Sequence, residues 1–388
     1  MNHRLVNSTM HISAFKYCKI RPYTRFFTFG NQHEPLSLQY GQTLYPITVA
    51  YETWGTLNRY KDNAILIEHT LTGCSHCASH GPEDDEGWWE PLVGPGKLFD
   101  TDRYFVVCSN VLGGCQGTTG PSSYAPSGEP YGASFPVITI GDMVKVQREL
   151  MKHLSIPCWH TVAGGSMGGM QALEWAVRYP SLVRSAIVIA APLKASAQSI
   201  AYNEVARQAI LSDPAWKGGQ YYDSQGPVRG LSVARMLGMI TYQSEKAMEY
   251  KFGRELAARE PALTGIFEVE NYLAYQGIKL VQRFDANSYL YLSRAIDLFD
   301  ISAGRPSLES ALGRITAKML VVGISSDILY PSHQQKQMVS ALRQSGVDAS
   351  YVELVTDHGH DGFLIDFERI IPLLGEFMLQ EPETMAAI

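Results

Sequence analysis

The chain has 388 residues, 45% hydrophobic and 18% charged, with a formal net charge of −6. This is an ordinary globular composition, long enough for one large domain with an insertion or for two domains. Lys and Arg are scattered and leave no basic footprint for nucleic acid, and no run of about 18 apolar residues is present to span a membrane.

The first 20 residues, MNHRLVNSTMHISAFKYCKI, lack the apolar core and small-residue cleavage site of a secretory signal. The six cysteines (Cys18, Cys74, Cys77, Cys108, Cys115 and Cys158) are too few for a disulfide scaffold in a chain of this length. The expected compartment is the cytoplasm. Residues 1 to about 25 carry no clear pattern and are expected to form a flexible arm or an edge element.

From Pro35 to Gly55 apolar and polar residues alternate, which predicts one or two antiparallel strands at a sheet edge. Asn63 to Glu68 is a short continuous apolar run, the mark of a strand covered on both faces. The loop after it, His69-Thr70-Leu71-Thr72-Gly73, stands where an oxyanion-binding backbone N–H is expected, and Leu71 is the candidate donor. Cys74, His76, Cys77 and His80 follow at ligand-like spacing. No second pair stands at zinc-finger distance, so the segment is read as a cleft-lining loop and no metal is assigned.

Gly87 to Gly96 reads as an ordered loop with Trp88 and Trp89, and Arg103 to Ser109 as a buried strand. The long Gly-, Pro- and Ser-rich stretch from Asn110 to Tyr131 is expected to be an ordered, substrate-facing loop. Ile140 to Leu154 has helical spacing, with Met143, Val146, Leu150 and Leu154 on one face.

The strongest motif lies next. Trp159 to Ala163 is an apolar strand, Gly164-Gly165-Ser166-Met167-Gly168 fits G-x-S-x-G, and Met170, Leu173, Trp175, Ala176 and Val177 have helical spacing. Strand, sharp turn and helix together make a nucleophile elbow, with Ser166 at the helix N-terminus and the N–H of Met167 available to an oxyanion. Ser185 to Ala190 is a further buried strand. The alternation of strands and helices builds a mainly parallel sheet.

From residue 193 to 312 the pattern turns helical, over 196–211, 231–256 and 286–299, and reads as an insertion over the sheet. Arg207, Arg235 and Arg283 lie in it, and Arg235 stands in the apolar stretch LSVARMLGMI, where a charge needs a partner. Strands return at Lys318 to Ile324, followed by Asp327, and at Ser350 to Val355, followed by Thr356-Asp357-His358-Gly359-His360-Asp361-Gly362. The chain order Ser, Asp, His belongs to the α/β-hydrolase fold rather than to the other common serine-triad folds. Spacing alone leaves His358 and His360 both open as the base.

Four segments carry a closer likeness. GGSMGGMQALEW around Ser166, SNVLGG with TTGP at 109–121, FDANSYLYL at 284–292 and GHD at 359–361 resemble the homoserine O-acetyltransferases. The resemblance implies Ser166 as nucleophile, Asp327 as triad acid and His360 as base. It implies Arg235 and Asp361 as substrate-binding groups, and Leu71 and Met167 as oxyanion donors. It also implies acetyl-CoA as co-substrate with no permanently bound cofactor, L-homoserine as acceptor, and a homodimer formed through the lid.

The expected organisation is a first core segment at 1–192, a helical lid at 193–312 and a second core segment at 313–388. The sequence departs from the family at Thr70, usually Ala, at Met239, more often His, and in the loop CSHCASH. A succinyl donor, a serine acceptor, or an esterase or thioesterase with the same triad are the alternatives. A non-catalytic binding module is opposed by the intact Ser, Asp and His.

Overall fold

The computed structural model describes residues 21–258, 260, 263 and 265–379. Eight strands form one sheet: β1 (Arg25–Phe29), β2 (Ile47–Trp54), β3 (Ala64–Glu68), β4 (Phe105–Ser109), β5 (Trp159–Gly165), β6 (Val183–Ile189), β7 (Lys318–Ile324) and β8 (Ala349–Leu354). Their spatial order is β1-β2-β4-β3-β5-β6-β7-β8. β1 and β2 run antiparallel to their neighbours, and the rest of the sheet is parallel.

The strands that read as continuous apolar runs are the central ones. Every residue of β3 is buried, as are six of seven in β7, because helices cover both faces of a parallel sheet. α1 (Ile140–His153) and α2 (Met167–Arg178) join the core around Trp159, Met170 and Trp175. α1 begins with a reciprocal cap between Thr139 and Asp142. The opposite face is filled by Ile65, Ile67, Trp89, Val322 and Phe363 and closed by the C-terminal helix Phe367–Leu379.

Between β6 and β7 the chain runs through α3 (Ala197–Leu211), α4 (Val228–Tyr242), α5 (Glu245–Phe252), α6 (Glu268–Val281), α7 (Ala286–Asp297) and α8 (Leu308–Leu312). The helical run expected over 231–256 is two helices. It breaks at Ser244, whose hydroxyl accepts from the Ala247 N–H at 3.0 Å and donates to the Asp357 carbonyl.

One expectation narrows and one changes. Residues 1–20, with Cys18, lie outside the described residues; of the two readings for residues 1 to about 25, a flexible arm or an edge element, Arg21 to Arg25 follow the second: the Thr24 hydroxyl donates to Glu52 at 3.1 Å and Arg25 opens the edge strand β1. The 110–131 stretch, expected to face substrate, instead seals the sheet beside β2. The hydroxyls of Thr118 and Thr119 accept the N–H groups of Ala50 at 2.9 Å and Thr48 at 2.8 Å. It is ordered because it satisfies backbone donors of β2.

Packing is very close between the end of β3 and the start of α2. A Cβ at Gly168 would fall 2.2 Å from the Glu68 carbonyl oxygen, and one at Gly164 would fall 2.6 Å from the Gly168 carbonyl carbon. Gly168→Ala is therefore expected to cost about 3 kcal/mol, the upper end for overpacking, since backbone and not a side chain must move. A urea denaturation midpoint unchanged from wild type would contradict it.

Candidate active site

Ser166 sits at the junction of β5 and α2 with φ 57° and ψ −124°. That left-handed backbone is strained for a residue with a Cβ. It is held by the Ser166 N–H bonding to the Ile189 carbonyl on β6 at 2.9 Å. The side chain is 9% exposed. Met167 opens α2, so its N–H belongs to the helix turn that lacks intrahelical acceptors.

Asp327 follows β7. Its Oδ1 accepts from the N–H groups of Leu329 at 2.8 Å and Tyr330 at 2.9 Å. Its Oδ2 accepts from His360 Nδ1 at 2.7 Å. His360 lies in the short helical turn Gly359–Asp361 after β8, and Gly359 at φ 71° makes the turn tight. A Cβ at Gly359 would stand 2.6 Å from the Ser244 nitrogen. Of the two histidines left open by spacing, His360 meets the acid. Its Nε2 is buried with no hydrogen-bond partner among the described residues. Burial would lower the His360 pKa, but the adjacent Asp327 carboxylate outweighs it and the net shift is upward.

The loop that carries Leu71, the expected oxyanion donor, is pinned by His69. Its Nε2 accepts from the Asn110 side chain and the Val111 N–H, both at 3.1 Å, so Nδ1 carries the proton and donates to the Thr70 carbonyl at 2.7 Å. Burial holds the His69 pKa down at about 4, against the opposing bond to Thr70, so the ring stays neutral.

These elements meet at a cavity of about 270 Å³ lined by Leu71, Ser166, Arg235, Tyr242, His360 and Asp361 among others. Arg235 reaches it from α4, its guanidinium carbon 5.7 Å from the centre of the Tyr242 ring. Burial raises the Asp361 pKa, opposed by the charges of His360, Arg235 and Lys251. All seven residues expected at the site are thus gathered near one point: Leu71, Ser166, Arg235, His360 and Asp361 line the cavity, Asp327 stands behind it on His360, and Met167 is the neighbour of Ser166. The arrangement offers a hydroxyl, an imidazole with one free nitrogen, an orienting carboxyl, and a guanidinium and a second carboxyl in the same cavity. That set can carry an acyl group on Ser166 and receive it again on a bound alcohol or water.

A family profile described as the alpha/beta hydrolase fold matches residues 63–367. The homoserine O-acetyltransferase of Carboxydothermus hydrogenoformans is 53% identical over 350 residues, 88% of this chain and 92% of its own. That of Desulfotalea psychrophila is 51% identical, over 91% of this chain and 93% of its own. The chain belongs to the homoserine O-acetyltransferase family. Among solved structures, homoserine O-acetyltransferase from Bacillus anthracis superposes with a TM-score of 0.86 at 33% identity, covering 92% of this chain and 98% of that one. Esterase E22 superposes at 0.84 and 30%, covering 92% and 99%.

Several wall residues of the cavity were not singled out by pattern. Trp88 and Phe363 line it without any motif to mark them. Arg283, named only as one of three arginines, lines it too and donates Nη1 to the Thr72 carbonyl at 2.7 Å. Arg207 is different: it is buried and paired with Asp297 at 2.6 Å and Glu204 at 2.8 Å, which ties α3 to α7. Cys74 lines the cavity, whereas Cys77 is buried in the core against Trp89 and Cys108.

Asp327→Asn is expected to leave the fold intact and lower kcat by about 10⁴-fold, because an amide cannot hold the imidazole in the required tautomer. A base that must be unprotonated gives a rate that falls as pH drops through its pKa. Since the His360 pKa is raised, the acid limb in the wild type is expected above about pH 6.5, the ordinary histidine value. A kcat/KM profile flat down to pH 5.5 would rule this out.

Proposed function

We propose that the chain is a homoserine O-acetyltransferase that moves an acetyl group from acetyl-CoA to the side-chain hydroxyl of L-homoserine. The observation that carries this reading is the pairing of Arg235 and Asp361 in the cavity that also contains Ser166 and His360. An esterase needs the triad alone. A guanidinium and a carboxylate beside it suit the two charges of an amino acid, with the planar fork of Arg235 matched to a carboxylate. The names carried by the relatives at 53% and 51% identity agree with it.

In the proposed first half, His360 Nε2 takes the Ser166 proton as Oγ attacks the thioester carbonyl. The oxyanion rests on the N–H groups of Leu71 and Met167. Collapse breaks the C–S bond, coenzyme A leaves with the proton from His360, and acetyl-Ser166 remains. In the second half homoserine binds with its carboxylate on Arg235 and its ammonium on Asp361. His360 takes the proton of its hydroxyl, the alkoxide attacks the acetyl carbonyl, and the second collapse returns the proton to Ser166. The product is O-acetyl-homoserine.

Transfer must outrun hydrolysis. A bound alcohol has an effective concentration far above that of an unbound one, and a covered site keeps water out. We read residues 193–312 as the lid that supplies this cover, with 1–192 and 313–388 as the two parts of the core. A second, narrower space of about 30 Å³ opens beside Ser166, lined by Leu71, Tyr289, Leu329 and Tyr330 among others. Its size favours an acetyl methyl over a succinyl chain.

The lid is also the proposed dimer surface. α4 packs on α6, and Val233, Ile240, Tyr275 and Ile278 on these helices are exposed. As a user of acetyl-CoA, the enzyme is placed in the cytoplasm.

Three measurements test these readings. With acetyl-CoA, steady coenzyme A release is expected only when L-homoserine is added; equal release without it would make water the acceptor and favour the esterase reading. Arg235→Ala is expected to lower kcat/KM for homoserine by about two orders of magnitude, the loss of a charge-assisted pair, while still releasing one equivalent of coenzyme A per Ser166. Light scattering is expected to give twice the 43.0 kDa mass of the chain. Ile278→Asp is expected to shift it toward the monomer, and a monomeric wild type would overturn the dimer.

A further inference from the structure

The loop CSHCASH, which departs from the family pattern and plays no part in the proposed chemistry, does not place its four candidate ligands together. Cys74 and Cys77 part to the cavity wall and the core. His76 and His80 instead converge on Glu52, a residue of β2 with no exposed surface. His76 Nδ1 lies 2.8 Å and His80 Nε2 3.1 Å from the same carboxylate oxygen, Oε2. The three ligand atoms all lie within 4.8 Å of one another.

We propose that Glu52, His76 and His80 form a binding site for a divalent transition metal of the zinc class, outside the acyl-transfer site. Two imidazoles and one carboxylate are a borderline donor set that suits such an ion. The His76 ring gives the sharpest reason. Both of its nitrogens face oxygen acceptors, Nδ1 the Glu52 carboxylate and Nε2 the Asp85 carbonyl at 2.8 Å. A neutral imidazole has one N–H and cannot satisfy both. A metal on Nδ1, with the Nε2 proton given to the carbonyl, satisfies both, and this is how metal-bound histidines are usually oriented.

The other ligands are held in the same way. The Glu52 Oε1 accepts from the hydroxyls of Thr24 at 3.1 Å and Ser75 at 3.3 Å, which leaves Oε2 for the ion. The His80 ring is sandwiched between Tyr23, with centroids 4.3 Å apart, and Trp54, at 4.7 Å. Its backbone N–H bonds to the Asp84 carboxylate at 3.1 Å, so the ring cannot swing freely. Around a tetrahedral ion with bonds of about 2.1 Å, ligand atoms stand about 3.4 Å apart. The two observed contacts to Oε2, at 2.8 and 3.1 Å, need to open by about 0.6 and about 0.3 Å.

An ion here would fasten the segment at Tyr23 and Thr24, and β2, to the loop that begins at the oxyanion candidate Leu71. Its role is structural. The alternative for the same atoms is a buried imidazolium paired with the carboxylate, and the two states bind metal differently.

The test uses the full-length protein, stripped with a chelator and titrated with Co²⁺, whose visible ligand-field bands report coordination, together with zinc content by mass spectrometry. Expected are tetrahedral bands saturating near one ion per chain, one zinc per chain after loading, and a rise in melting temperature on metal addition. His80→Phe keeps an aromatic ring in the sandwich and removes the nitrogen, so it is expected to fold, by circular dichroism, and to bind at least 10-fold more weakly. Glu52→Gln is expected to do the same. Absence of the bands, thiolate-to-cobalt charge-transfer bands, or unchanged binding in His80→Phe would each overturn the proposal. The first of these would leave the imidazolium–carboxylate pair as the account of the cluster.

Discussion

The structure turns on one close approach, between the backbone at the end of β3 and the first turn of α2. Gly168 passes so near the Glu68 carbonyl that no side chain fits. That contact holds the helix start against the sheet and keeps Ser166 in a backbone shape it would otherwise leave. The same strand end leads straight into His69 and Leu71. The serine and the loop that would bind its oxyanion are therefore set by one packing event. Beneath them Gln147 bonds to both the Glu68 and Gln171 side chains, at 2.7 and 2.8 Å, and its own oxygen accepts from Trp175 at 2.8 Å.

Charge is arranged in two separate ways. Asp327 accepts from two backbone N–H groups before it meets His360, so its side chain is a fixed reference for the imidazole. Arg235 and Asp361 both line the cavity, and no ion pair joins them among the described residues. Charges kept apart in a partly dry cavity are costly to the free protein, and a ligand that carries both opposite charges removes that cost.

The fold and the triad were legible because each marker lay in the local sequence. Ser166 and Asp327 each follow a continuous apolar run, and both runs became central parallel strands, while His360 follows the half-buried strand β8 at the sheet edge. The roles expected of Arg235 and Asp361 were available only through resemblance, since no spacing rule says which arginine of a helical insertion faces inward. α6 was missed for a plain reason. Only Gly277 and Leu280 of its residues are buried, so its apolar stripe is weak. The 110–131 loop was misjudged because glycine density shows order but not which surface the loop covers. Glu52 was invisible as a partner of His76 and His80, because pairing across β2 and the β3 loop is a tertiary fact.

The sheet order has a consequence for how the molecule comes together. β6 and β7 are hydrogen-bonded neighbours, yet residues 190–317 intervene between them. Ser166 depends on β5 and β6, while Asp327 and His360 follow β7 and β8. The two halves of the triad therefore stay unconnected until that long segment has been closed into a loop. Closure over such a distance costs chain entropy before any contact repays it, and parallel pairings of this kind form slowly. Along the folding route, the elbow can be complete while the acid and base are still elsewhere, and competence to react arrives with the last strands of the sheet.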